Sequence, residues 1–94
     1  MANDVVHRAE HHRFELQAGG QLAVLAYERR GAQLVLTHSE VPEALSGQGV
    51  GSRLVEGALA IIRGEGLKIV AQCSFVAAYL GRHPESRDLL AAQG

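Results

Sequence analysis

Ninety-four residues allow one domain, near the small end of chains that fold alone, where about 60–65% of the unfolded surface is buried. Hydrophobic residues make up 47% of the chain and the formal net charge is −1, so the composition is that of a globular protein and offers no field that would gather nucleic acid. The single cysteine excludes an internal disulfide and a four-cysteine zinc site. No apolar run approaches the ~18 residues of a membrane span and residues 1–10 hold no apolar signal core, so a cytoplasmic location is expected.

Residues 1–11 are polar and lack a strong period, which reads as a loose lead-in or a short first strand. His7 and His11 would share one face of a helix, as metal ligands can, but no acidic or cysteine partner at matching spacing completes a site, and no metal is expected. Over residues 12–18 the pattern alternates. Phe14, Leu16 and Ala18 fall on one face and Arg13, Glu15 and Gln17 on the other, as in a half-buried strand. Gly19-Gly20 predicts a two-residue hairpin turn, and residues 21–30, apolar on both faces over 22–27, predict a strand inside the sheet.

Residues 32–41 predict a third strand, with Leu34, Leu36, His38 and Glu40 on one face and Val35, Thr37, Ser39 and Val41 on the other. That first face changes from apolar to ionisable and would deliver His38 and Glu40 to the strand's carboxyl end. Pro42 then ends the ladder, since it has no N–H to donate. Leu45-Ser46-Gly47-Gln48-Gly49-Val50-Gly51 is a glycine-dense turn that runs into a helical stripe of Val50, Leu54, Val55, Ala58, Leu59 and Ile62, ending by Gly64 or Gly66. The first N–H groups of such a helix are unpaired and carry partial positive charge, so the turn is suited to a phosphate.

Residues 67–73 predict a strand with Leu67, Ile69, Ala71 and Cys73 in phase. Strand, helix, strand in that order makes this strand parallel to the third. The carboxyl ends of both, with His38, Glu40, the glycine turn and Cys73, should then surround one crevice. A short helix over residues 75–81 follows, with Ser74 as its N-cap, and Pro84 opens a last helical turn over residues 85–92 that lays Leu89 and Leu90 on the sheet. The expected fold is α/β in the α+β sense. It is a single domain with a mixed sheet, antiparallel N-terminal strands, a β-α-β crossover and short C-terminal helices.

Two common phosphate motifs do not fit. A P-loop needs lysine and a hydroxyl residue after its last glycine, whereas Gly51 is followed by Ser52 and Arg53; a dinucleotide fingerprint needs G-x-G-x-x-G, and this turn reads G-x-G-x-G. Residues 45–54, L-S-G-Q-G-V-G-S-R-L, instead resemble the acyl-CoA pyrophosphate loop of the GNAT superfamily of N-acetyltransferases, Q/R-x-x-G-x-G/A at a helix start. Gly49 and Gly51 match the two small positions, and Ser46 stands where Gln or Arg is usual. Cys73-Ser74-Phe75-Val76, Tyr79 and Arg82-His83-Pro84-Glu85 narrow the resemblance, which covers residues 14–85, to a subfamily of small stand-alone GNAT-like proteins.

The resemblance implies acetyl-CoA as co-substrate, held by Val41, Gln48, Gly49, Val50, Gly51 and Ser52, and an amine acceptor, with a protein or a polyamine among the candidates. It implies transfer of an acetyl group to a primary amine, with His38 or Glu40 as base and Tyr79 protonating the departing thiolate. Cys73 is either an acetyl-accepting nucleophile or a small buried hydrophobe. The alternative reading is a non-catalytic acyl-CoA-binding module acting through a protein partner. Neither nucleic acid nor membrane is an expected partner.

Overall fold

In the computed structural model, which describes residues 4–45 and 47–91, the alternating N-terminal half folds into consecutive antiparallel strands. They are β1 (Val6–Arg8), β2 (Arg13–Ala18), β3 (Gln21–Arg30) and β4 (Gln33–Glu40). The lead-in takes its short-strand form, pairing Val6, His7 and Arg8 with Glu15, Phe14 and Arg13; Met1, Ala2 and Asn3 lie outside the described residues. Gly19 and Gly20 have φ of 55° and 76°, the positive values that a two-residue type I′ turn requires. Helix α1 (Val50–Gly64) then crosses to β5 (Lys68–Ala71), which runs parallel to β4, giving the sheet order β1-β2-β3-β4-β5. This is the expected mixed sheet with its β-α-β crossover, and α2 (Ser74–Arg82) follows it.

The core lies between one sheet face and the helices. Phe14, Leu16, Ala23, Leu25 and Leu36 are at most 1% exposed, and the stripe predicted for α1, Val50, Leu54, Val55, Ala58, Leu59 and Ile62, is buried against them throughout. Each large apolar side chain so buried contributes about 1.5–3 kcal/mol. Gly66, with φ of 70°, turns the chain out of α1 toward β5. No helix among the described residues is long and apolar enough to cross a membrane.

Four local expectations are corrected. The β3–β4 register pairs Ala26 with His38 and Tyr27 with Leu36, leaving Thr37 as an extra residue in a bulge whose hydroxyl donates to the Ala26 carbonyl at 3.3 Å. One extra residue reverses the alternation, so His38 and Glu40 lie on the sheet face opposite Leu34 and Leu36, and Ser39 comes onto the core face. The β5 ladder stops at Ala71, short of Cys73, because the Gln72 N–H turns back to the Val70 carbonyl at 3.1 Å. Cys73, in extended conformation, is the N-cap of α2, and Ser74 is its first helical residue. Finally, the C-terminal turn is a 3-10 helix over Pro84–Leu89, shorter than expected: Leu89 is buried, while Leu90 leaves it to bridge Ile69 and is 38% exposed. Ala92, which the expected helix included, lies outside the described residues.

Glu15 departs from its expected solvated face in a different way. It is only 8% exposed because Arg8 from β1 and Arg13 from its own strand close over it, with N–O distances of 3.3 and 2.6 Å. Burial would raise its pKa, but hydrogen bonds and charge from Arg13 and Arg8 outweigh that and hold it below the usual carboxylate range. A carboxyl whose pKa is lower in the folded chain stabilises the fold above its unfolded pKa, and that contribution is lost as pH falls through the folded value. Thermal melts from pH 7 to pH 3 should therefore show a shallower acid decline for Glu15→Gln than for wild type. The variant should be destabilised by about 1 kcal/mol at pH 7, the scale of a partly solvated ion pair.

Candidate functional site

Between β4 and α1 the chain makes a tight turn. Glu43–Leu45 forms a short 3-10 turn, with the Leu45 N–H donating to the Pro42 carbonyl at 2.9 Å and the Leu45 side chain buried as an anchor. Gly47 and Gly49 follow with φ of 80° and 72°, a region that costs other L-residues about 1–2 kcal/mol. Ser46 lies outside the described residues. Gly49 is the N-cap of α1; it supplies no side-chain cap, and no acidic residue stands in the first turn. The helix thus presents its first N–H groups without a carboxylate or hydroxyl of its own across them, the arrangement that receives an anion.

Gly51 serves a different end. Its φ is helical, and a Cβ there would come within 2.7 Å of Cζ of Phe75, so glycine lets the Phe75 ring lie against the start of α1. The two helices and the turn enclose a pocket of about 500 Å³, within the size range of ligand sites. Its walls are Val41 and Glu43, then Leu45 and Gly47, then Gly49, Val50, Gly51 and Ser52, closed by Phe75 and Arg82. Of the expected cofactor contacts, Val41 and residues 49–52 stand on this wall. Gln48 does not; its amide Nε2 donates to the Ala44 carbonyl at 3.4 Å. Sequence reasoning missed Glu43, Phe75 and Arg82, although Phe75, Tyr79 and Arg82 at i, i+4 and i+7 mark one face of α2.

Beside the pocket the two parallel strands part. The β4–β5 ladder ends at Leu36 and Ala71, and the Cys73 N–H adds one bond to the Leu36 carbonyl at 2.7 Å, whereas β4 continues to Glu40 paired only with β3. Residues 37–40 therefore border an opening that both sheet faces share. On the helix side, the Cys73 thiol donates to the Ser39 hydroxyl at 3.4 Å. Burial would raise the Cys73 pKa, but the Ser39 hydroxyl and the backbone N–H groups of Val76, Phe75 and Ser39 outweigh it and leave it below the ordinary thiol value. On the opposite face, His38 Nε2 and Glu40 Oε2 are 3.2 Å apart and largely solvated.

Tyr79 is 4% exposed and stacks on His83, with ring centroids 4.1 Å apart. Burial, with the negative charges of Glu56 and Glu85, raises its pKa, so the phenol stays protonated at neutral pH and can act as a proton donor. The structure thus gathers Cys73 with Ser39 under the sheet, leaves Tyr79 inside α2's packed face, and sets His38 and Glu40 across the opening from them. None of these four expected catalytic residues is on the wall of the pocket itself.

Three comparisons give this geometry a context. The family model described as GCN5-related N-acetyl-transferase matches residues 13–89. Protein NATD1 of Mus musculus is 34% identical over 83 residues, spanning 85% of this chain and 76% of that protein. Protein NATD1 of Homo sapiens is 36% identical over 84 residues, 82% and 74% of the two chains. Among solved structures, a GCN5-like protein from Staphylococcus aureus, determined by NMR in solution, superposes with a TM-score of 0.71 at 26% identity and covers 100% of this chain and 94% of its own.

Proposed function

Since the chain belongs to the GCN5-related N-acetyltransferase family, we propose that it binds acetyl-CoA in the pocket at the start of α1 and transfers the acetyl group to a primary amine. One observation carries this reading: an uncapped helix N-terminus, reached through two positive-φ glycines, forms a wall of the pocket beside the parted strands. The N–H groups of residues 49–52 face the pyrophosphate. The pantetheine arm then runs past Val41 toward the opening between β4 and β5, and the thioester reaches it from the helix side.

The amine comes from the opposite face, where His38 and Glu40 stand. Only the neutral amine attacks, so its proton passes to His38 or Glu40, directly or through water. The amine nitrogen bonds to the thioester carbon, the C–S bond breaks, and the CoA thiolate takes a proton from Tyr79. Acid–base help of this kind is worth about 10²–10⁴ in rate. The lowered pKa of Cys73 favours it as the acceptor in a two-step variant, in which its thiolate takes the acetyl group and releases CoA before the amine displaces it. The shallow, solvated setting of His38 and Glu40 suits an acceptor presented on a protein or polyamine.

Thermal melts test the reading. Acetyl-CoA at ~100 times its dissociation constant adds about 2.7 kcal/mol, which raises the midpoint of a domain this size by roughly 10 °C or more. NADH and ATP serve as controls and should shift it less. No rise at millimolar acetyl-CoA would overturn the proposal. A selective rise with no thiol release from acetyl-CoA and any amine would identify a non-catalytic acyl-CoA-binding module acting through a protein partner.

A further inference from the structure

All nine Lys and Arg side chains belong to described residues, and eight of them are engaged with a carboxylate or a backbone carbonyl. Arg82 is the exception: among the described residues it makes no ion pair or side-chain hydrogen bond, and it is the cation on the pocket wall. It sits exposed in the last turn of α2 and lines the same pocket as residues 49–52 at the start of α1. Glu43 also lines this pocket and forms no ion pair with Arg82 among the described residues, so its negative charge would repel a phosphate approaching from that side.

We propose that Arg82 is the pyrophosphate-clamping residue of this pocket, holding the ligand's bridging phosphates against the N–H groups of residues 49–52. The inference rests on the acyl-CoA reading above. A planar guanidinium offers paired donors that match phosphate oxygens, and charge-assisted bonds of this kind are about twice as strong as neutral ones. Residue 46, a serine, brings no positive charge to the turn, and Arg53, the other arginine near it, is turned to Asp4 at 3.9 Å. The anion's second partner therefore comes from α2. Phe75, two turns earlier on the same face, packs on Gly51 and fixes that face against α1, which sets the reach of Arg82.

Calorimetric titration of CoA and of dephospho-CoA, which keeps the pyrophosphate but lacks the 3′-phosphate, tests this on wild type, Arg82→Gln and Arg82→Lys. Arg82→Gln should weaken both ligands roughly 10–100-fold, flatten the salt dependence of Kd, and leave the unliganded melting temperature unchanged; Arg82→Lys should lose less. If wild type binds CoA and Arg82→Gln binds it within twofold, the clamp is wrong while the acyl-CoA reading stands. A loss seen with CoA but absent with dephospho-CoA would move Arg82 to the 3′-phosphate and also overturn it. If wild type binds neither ligand, the acyl-CoA reading itself fails.

Discussion

Replacing Gly49 by aspartate should weaken acetyl-CoA binding by roughly 10²–10³-fold and leave the fold standing. Two properties meet at this residue: a φ of 72° and a place at the open end of α1, where a Cβ would meet nothing within 4 Å. Aspartate and asparagine enter the left-handed region more readily than other L-residues, so either variant costs about 1 kcal/mol of stability. Only aspartate brings a charge. Like charges at roughly 4 Å with an effective dielectric near 20 repel by about 4 kcal/mol, which is the fold-change stated above. Gly49→Asn has the same shape without that charge, and its binding should fall about tenfold or less. Titration of both variants, with unliganded melts as the check on folding, separates charge from shape. Equal weakening by Asp and Asn would mean that the start of α1 does not hold an anion.

Features decided by neighbours in sequence are legible from the residues alone. Gly19-Gly20 needs positive φ whatever surrounds it, and the Val50 to Ile62 stripe needs only a partner surface. The turn at residues 47–49 belongs with them, since glycine spacing and a following helix announce it. Features set by partners far along the chain are not legible in this way. The Thr37 bulge exists because β4 slips against β3, and nothing in residues 32–41 alone marks where the period of two breaks. That one slip decides that Ser39 meets Cys73, 34 positions away, and that His38 and Glu40 face the other side.

The charged residues show the same division. Glu15 reads as a solvated residue until Arg8 is brought over it by β1. Arg82 reads as one more surface charge until each of the other lysine and arginine side chains is found to have a partner. Its spacing from Phe75 is visible as i, i+7. What the spacing does not carry is that this face of α2 packs on the start of α1, a contact signalled only by Gly51, which in the sequence matches a small position of the phosphate-loop pattern and in the fold makes room for a phenyl ring.

Phe14→Ala should be the most damaging single truncation, costing about 3–5 kcal/mol of a total near the lower end of roughly 5–15 kcal/mol. The ring is fully buried on β2, and it does more than fill space. His7 of β1 stacks on it with centroids 4.4 Å apart and planes 19° apart, and Tyr27 of β3 lies at 5.4 Å. His7 Nε2 shares a 2.6 Å hydrogen bond with the Tyr27 hydroxyl, and its Nδ1 is 3.6 Å from Glu65 at the end of α1. β1 is three residues long and pairs only with β2, so the stack of His7 on Phe14 is one of the few contacts, with buried Val5 and the Arg8–Glu15 pair, that fasten the edge strand to the core. Losing the ring should lower the melting midpoint by roughly 15 °C or more and expose the amides of residues 6–8 to rapid hydrogen exchange. The cluster adjoins the last turn of α1, about 22 Å along a 15-residue helix from the pocket. Acetyl-CoA affinity measured on the folded fraction at low temperature should therefore be unchanged, and a parallel loss of affinity would show that the two ends of α1 are coupled.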